Sequence, residues 1–208
     1  MRQKPYGQDC SLAKACDLLC ERWTFLIIRE LLIQPCRFRD LNLFLDGMGT
    51  NLLAQRLKDL EAHGLVKRQN PSDRKSPYIL SPRGRALEPA VLSLIRWGLT
   101  ADTRAEEPKG VHFAHWDLLA LKAFYKPENC HRRLTLQFDT SDFKGWCRVV
   151  PAAGCQISTG WAGDFNILYP GTVQDFYKTM REALSRPAEE RSAESDRAGL
   201  HEFAECFF

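Results

Sequence analysis

The sequence predicts an α+β protein in two parts, and three observations carry that reading. Apolar residues at helical spacing dominate residues 10–98, interrupted by two short apolar runs around a polar turn. After residue 130 the pattern changes to alternating or Gly- and Pro-bounded short runs, followed by one amphipathic stretch. Between them, residues 99–110 (LTADTRAEEPKG) hold little that could enter a core, so the domain boundary is placed there. The charge divides near the same place. Residues 1–100 carry 16 Lys and Arg against 10 Asp and Glu, and residues 101–208 carry 13 against 16. A basic half beside a mildly acidic half suggests two jobs, one of them with a polyanion.

The elements follow in order. Leu12, Ala15, Cys16, Leu19 and Cys20 share one face of a first helix, with Cys16 and Cys20 expected as small buried hydrophobes. Trp23, Leu26, Ile27 and Leu31 continue into a second helix, stopped near Pro35. Phe38, Leu41, Phe44 and Leu45 make a short third helix, ended by Asp46-Gly47. Thr50 is expected to cap a fourth helix, whose Leu53, Leu57 and Leu60 bury one side and which Gly64 closes. Residues 65–69 and 78–80 read as paired short strands around a breaker-rich turn, 70–77. Ser81-Pro82 then starts a helix that runs to Trp97-Gly98.

That order of helix, short helix, tight turn, helix and basic-tipped hairpin is a winged helix-turn-helix, mostly α with a two-stranded wing. In such a fold the helix after the turn enters the major groove. The front of the fourth helix suits that position. Asn51 and Gln55, four apart, share with Lys58 the face opposite the leucines, and Thr50 stands at the start. Asn and Gln pair bidentately with adenine, and Arg56 suits guanine. Arg37 and Arg39 open the preceding helix, and Arg74 and Lys75 sit at the wing tip, positions suited to phosphate. Residues 37–85 carry 10 Lys and Arg against 5 Asp and Glu.

Residues 10–98 resemble the HxlR-type winged-helix transcriptional regulators. The resemblance lies in the Trp23 position, R-F-x-x-L (Arg37–Leu41), R-L-x-x-L-E-x-x-G-L-V (Arg56–Val66) and L-x-P-x-G-x-x-L (Leu80–Leu87). It implies sequence-specific binding of double-stranded DNA as a homodimer, with dimer contacts from about 10–20 and 83–98. The turn 70–77 is more polar than the usual Pro-rich wing. In many members a cysteine just before the first helix senses oxidation, and Cys10 stands there. A helix N-terminus favours a thiolate, although Asp9 beside it opposes one.

The second half is expected to be a small α+β domain with a curved, antiparallel-rich sheet and helices. A helix spans about 114–126, a half-buried strand covers Leu134, Leu136 and Phe138, and further strands cover 145–151, 155–162 and 165–169. Thr172 to Asp175 starts a helix along Val173, Phe176, Tyr177, Met180 and Leu184, stopped by Pro187. Residues 111–186 resemble, in element order, the sterol-carrier-protein-like domains of some HxlR-type regulators. That implies an apolar cavity for a small apolar or aromatic ligand, with Trp116, Phe124, Trp146, Trp161, Phe176 and Tyr177 as candidate lining. The last strand and helix of that pattern are missing, replaced by a charged tail, 187–208, expected to be mobile.

Other classes find little support. His112 with His115, and Cys130 with His131, lack a short-range third ligand, so no metal site is expected. No nucleophile elbow or phosphate-cradling glycine loop occurs, so neither an enzyme nor a cofactor is expected. No signal-peptide pattern and no apolar run of ~18 residues is seen. The eight cysteines include no C-x-x-C, and the chain reads as cytoplasmic with reduced thiols. Two alternatives stay open: a protein-interaction module using the winged helix, and an unrecognised enzymatic activity in the C-terminal domain.

Overall fold

The computed structural model describes residues 5–100, 111–184 and 198–207, in two compact units, Met1–Val91 and Leu92–Phe208. The division falls at 91/92, earlier than the stretch 99–110 that composition marks. Residues 101–110 of that expected linker lie outside the described residues, and 99 and 100 still belong to a helix.

The first unit holds α1 (Ser11–Leu19), α2 (Thr24–Ile33), α3 (Phe38–Phe44), α4 (Thr50–Ala62), β1 (Val66–Arg68), β2 (Tyr78–Leu80) and α5 (Pro82–Arg85); α6 (Glu88–Thr100) crosses the division. Ile27, Ile28, Leu31, Leu41, Leu45, Leu53, Leu57 and Leu60 form its core. Burying each such side chain contributes roughly 1.5–3 kcal/mol. β1 and β2 pair antiparallel, with Arg68 opposite Tyr78. Cys36 adds a bridge to Tyr78, through N–H···O bonds of 3.1 and 2.7 Å, that no sequence pattern announced.

Several local expectations change. Gly49, not Thr50, is the N-cap of α4, and Thr50 is its first helical residue. Cys20 is exposed and Cys16 half-buried, because α1 ends at Leu19 and buries only Ala13 fully. Trp23 precedes α2 in a left-handed conformation, φ 80°, at a cost of about 1–2 kcal/mol for a side chain with a Cβ. The expected helix from 82 to 98 is two helices. Pro89 lacks the N–H that would continue the first, and it fits the opening turn of the second, where that N–H has no partner. Ser81 caps α5 as expected, its Oγ accepting from Gly84 N–H at 3.0 Å.

The second unit holds α7 (His115–Ala123), a 3-10 turn (Pro127–Asn129), β3 (Leu134–Asp139), β4 (Lys144–Val150), β5 (Gly154–Thr159), β6 (Ile167–Tyr169), α8 (Val173–Leu184) and α9 (Ala198–Glu205). The sheet order is β5-β4-β3-β6, antiparallel except that β6 runs parallel to β3. β3 is therefore interior, and it is buried on both faces rather than half-buried. Its Gln137 is 0% exposed and satisfied: Nε2 donates to the carbonyls of Phe138 and Gly145 at 2.9 and 3.0 Å, and Oε1 accepts from Ala162 N–H at 2.8 Å. Thr172 and Asp175 make the reciprocal cap expected of them, at 2.9 and 3.0 Å.

The end of the chain departs most from expectation. Residues 187–197 of the expected mobile tail lie outside the described residues, but 198–207 fold back as α9 and its final turn. Leu200, Phe203, Ala204, Cys206 and Phe207 are buried, and α9 packs against β3 and α8. Arg132 holds Glu202 bidentately at 2.5–2.9 Å, and Lys126 N–H donates to Cys206 O at 2.6 Å. The short apolar string at the C-terminus thus supplies the helix that the charged composition around it concealed.

Candidate nucleic-acid interface

The turn between α3 and α4 is built by Gly47, φ +81°, a conformation that a residue with a Cβ avoids. Met48, buried beside it, anchors the turn to the core. Leu53, Leu57 and Leu60 then hold one face of α4 against that core. The opposite face is left to solvent: Thr50, Asn51, Gln55 and Lys58 are all exposed. Gln55 Nε2 donates to Asp59 Oδ1 at 3.0 Å, a bond along the helix surface.

Arg56 does not join them. Its guanidinium turns inward, 2.5 Å from Glu21 and 3.8 Å from Asp59, with its side chain 14% exposed. The position after Gln55 on a 3.6-residue helix points about 100° away, toward α1. Arg56, expected to meet guanine, is instead paired with Glu21 and Asp59 in this structure. Sequence spacing had the signal, because Arg56 lies close in angle to Leu53 and Leu60.

The flanking cations are exposed. Arg37 is the N-cap of α3, its backbone N–H donating to Asp40 Oδ2 at 2.9 Å. Arg39 is 80% exposed and only loosely paired with Asp40, at 3.3 Å. Arg74 and Lys75 stand at the wing tip. The tip is shaped by its own side chains: Asn70 Oδ1 accepts from Ser72 N–H at 3.1 Å, Asp73 Oδ1 from Lys75 N–H at 2.8 Å, and Ser76 Oγ from Asn70 N–H at 2.8 Å. Arg68, which sequence reasoning missed, fastens the base. Its guanidinium donates to Arg74 O at 2.6 Å and Tyr78 Oη at 2.6 Å and lies 4.4 Å over the Tyr78 ring. The polar turn is therefore a preorganised wing.

Cys10 is the N-cap of α1 and exposed. The N–H groups of Ala13, then Leu12, pull its thiol below the ordinary cysteine range. The sulfur makes no close cap hydrogen bond, so the pull is that of the helix's unsatisfied N–H dipoles. Asp9 beside it is paired with Lys14, which offsets its opposing charge. The other extreme is Cys36, whose thiol is pushed up to about 12 by burial.

Of the six aromatic candidates of the second unit, Phe124, Tyr177 and Phe176 form one chain of ring contacts. Trp161 is 53% exposed and pairs with Phe165 at 6.1 Å. Trp116 packs edge-on to Phe113 at 5.2 Å. Trp146 lies under the Arg148 guanidinium at 5.1 Å. Phe124 and Tyr177 meet edge-on at 6.4 Å. Phe176 is fully buried, 5.9 Å from both Phe138 and Phe203. α9 adds Phe203 and Phe207 to this aromatic interior. Among the described residues no group of three or more His, Cys, Asp or Glu side chains is placed to hold a metal, and no helix is long and apolar enough to cross a membrane.

The HxlR-like helix-turn-helix family model matches residues 18–106. The HTH-type transcriptional regulator YvaP of Bacillus subtilis is 35% identical over 86 residues, covering 40% of this chain and 80% of that protein. The HTH-type transcriptional regulator YodB of the same organism is 33% identical over 104 residues, covering 47% of this chain and 93% of that protein. The reduced form of YodB aligns structurally with a TM-score of 0.41 at 29% identity, over 48% of this chain and all of that one. The family match stops before α7, so the sterol-carrier-like reading of 111–186 draws no support from it. The N-terminal match covers most of the length of both regulators: the chain belongs to the HxlR-like helix-turn-helix family of transcriptional regulators.

Proposed function

We propose that the protein is a homodimeric regulator that reads a pseudo-palindromic operator with the front of α4. The observation that carries this reading is the division of α4: Leu53, Leu57 and Leu60 buried, Thr50, Asn51, Gln55 and Lys58 exposed on the other side. Asn51 and Gln55 contact base edges, while Arg37, Arg39, Arg74 and Lys75 contact phosphates and set the register. Dimerisation spaces the two α4 helices about one helical turn of DNA, or a multiple, apart.

Cys10 supports an oxidation-sensitive version of the same function. It is exposed and its thiolate is favoured, the two conditions under which a thiol reacts first.

The test is binding to DNA from upstream of the protein's own gene across a salt series, for wild type and Asn51→Ala/Gln55→Ala. Sequence-dependent binding that the double variant loses, with weak salt-sensitive binding retained, supports the reading. Equal binding of every sequence by both proteins overturns it and favours a protein partner for the winged helix.

A further inference from the structure

A cleft of about 390 Å3 opens within the N-terminal unit. That size lies within the range of small-molecule sites, roughly 300–1,000 Å3. Its walls come from α1, the start of α2, α4 and α5, with Pro5 at one edge. From α4 and its C-cap it takes Arg56, Asp59, Leu60 and His63, a single helical stripe and not the stripe that carries Asn51 and Gln55. The cleft is therefore separate from the face proposed to read DNA, yet built on the same helix.

Its hydrogen-bonding groups are unevenly satisfied. The acids are engaged. Asp17 accepts from Tyr6 N–H at 2.9 Å, Glu21 pairs with Arg56 at 2.5 Å, and Asp59 accepts from Gln55 at 3.0 Å. The open valences are donors. Arg56 Nε is buried with no hydrogen-bond partner, an exception that buried polar groups rarely show. The side chains of Arg83 and His63, both exposed, make no hydrogen bond or ion pair among the described residues. Leu18 and, at the floor, the buried Leu60 supply apolar lining. A ligand that completes this arrangement brings acceptors and an apolar body, and brings no cation.

We propose that this cleft binds a small organic carboxylate, its oxygens taken by Arg83 and by Arg56, whose side chain turns to bring its buried Nε to the ligand, and its apolar body laid along Leu18. A guanidinium suits a carboxylate because its donors fan out in the plane that the two oxygens occupy. Binding has a built-in consequence. Arg56 Nη2 ties α4 to Glu21, just after α1, so an Arg56 side chain that turns to give Nε to a carboxylate gives up that tie. The placement of α4 then depends on the ligand, and DNA affinity with it. This last step rests on the DNA-reading role of α4; the binding site itself does not.

The experiment is calorimetric titration of the full chain with benzoate and with its uncharged counterpart benzamide, at fixed ionic strength, for wild type, Arg83→Lys and Arg83→Glu. Arg83 is exposed, so these variants leave the core intact. Saturable binding of one benzoate per chain, absent with benzamide, kept in Arg83→Lys and weakened about tenfold or more in Arg83→Glu is the expected result. Benzamide binding as well as benzoate, benzoate binding equally to wild type and Arg83→Glu, or no saturable binding overturns the site. Operator titration with and without benzoate is the second arm. A changed affinity in wild type but not in Arg83→Glu supports coupling. Unchanged affinity despite bound benzoate rejects the coupling and leaves the site standing. Loss of all DNA binding without ligand refutes the DNA-reading role instead.

Discussion

The carboxylate of Glu21 and the guanidinium of Arg56 meet at 2.5 Å, each side chain 14% exposed. Glu21 lies just after α1 and Arg56 one position past Gln55 on α4. Two neighbours on one helix thus have opposite roles. Gln55 faces solvent, and Arg56 holds α4 to the end of α1.

Single substitutions should separate them. Arg56→Ala leaves Glu21 in a half-buried place without its partner and is expected to lose roughly 1.5–3 kcal/mol of stability. Gln55→Ala should leave stability within about 0.5 kcal/mol, as surface changes usually do. It should cost about 1–3 kcal/mol of operator discrimination. Denaturant melts and operator titrations on both variants check this. A stable Arg56→Ala with lost specificity would reverse the assignment.

Gly84 carries a second prediction. A Cβ there would stand 2.0 Å from the carbonyl oxygen of Leu65, which itself accepts from Ser81 N–H at 2.9 Å. The clash is with backbone, so no rotamer relieves it. Gly84→Ala should therefore shift the segment leading into β1 and cost about 1–3 kcal/mol, the range for overpacking. Gly98 has nothing within 4 Å, and Gly98→Ala should be neutral or slightly stabilising. Thermal melts of the two variants decide the point.

The N-terminal order of elements was legible because each helix shows its leucines at helical spacing and each turn carries its own breaker. What was not legible had particular causes. Arg56 was assigned to DNA because a cation near a polar helix nose looks outward until its partner, 35 residues earlier, is placed. Arg68 and the Cys36–Tyr78 bridge depend on pairings that adjacent sequence does not contain. Strand β3 alternates in sequence, but Thr135 and Gln137 are buried because β3 is interior and Arg148, Asn166 and Ala162 bond to them from neighbouring segments. Helix α9 is hidden by the charge of the residues around it, and the apolar Leu200 and Phe203, with Phe207 in the turn after it, explain its docking.

Cys10 supplies a pH-dependent prediction. Its thiol is lowered by the N–H groups of Ala13 and Leu12, so deprotonation begins at lower pH than for an ordinary cysteine. Alkylation by iodoacetamide near neutral pH should mark Cys10 before Cys20, whose thiol is raised chiefly by its hydrogen bond with Cys16. As pH rises the rate at Cys10 should level off first, because its thiolate is already formed. Buried Cys36, raised to about 12, should react only when the protein opens. Peptide mapping after timed alkylation gives the order, and equal labelling of Cys10 and Cys20 at neutral pH would remove the helix terminus from the explanation.

The last prediction concerns α9. Phe203 is 0% exposed and meets Phe176 edge-on at 5.9 Å, while Phe207 packs on Tyr125 at 5.9 Å. A large-to-small change at such a site removes apolar burial and leaves a cavity beside β3. Phe203→Ala should cost about 3–5 kcal/mol in the second unit. Glu202→Gln tests the polar side of the same docking. It removes the charge from a bidentate pair with Arg132 at a partly exposed position, and should cost no more than about 1 kcal/mol. The apolar term therefore dominates. Melts should show a large loss for Phe203→Ala and a small one for Glu202→Gln. Similar losses for both would mean that the ion pair, not the aromatic contact, holds α9 on the sheet.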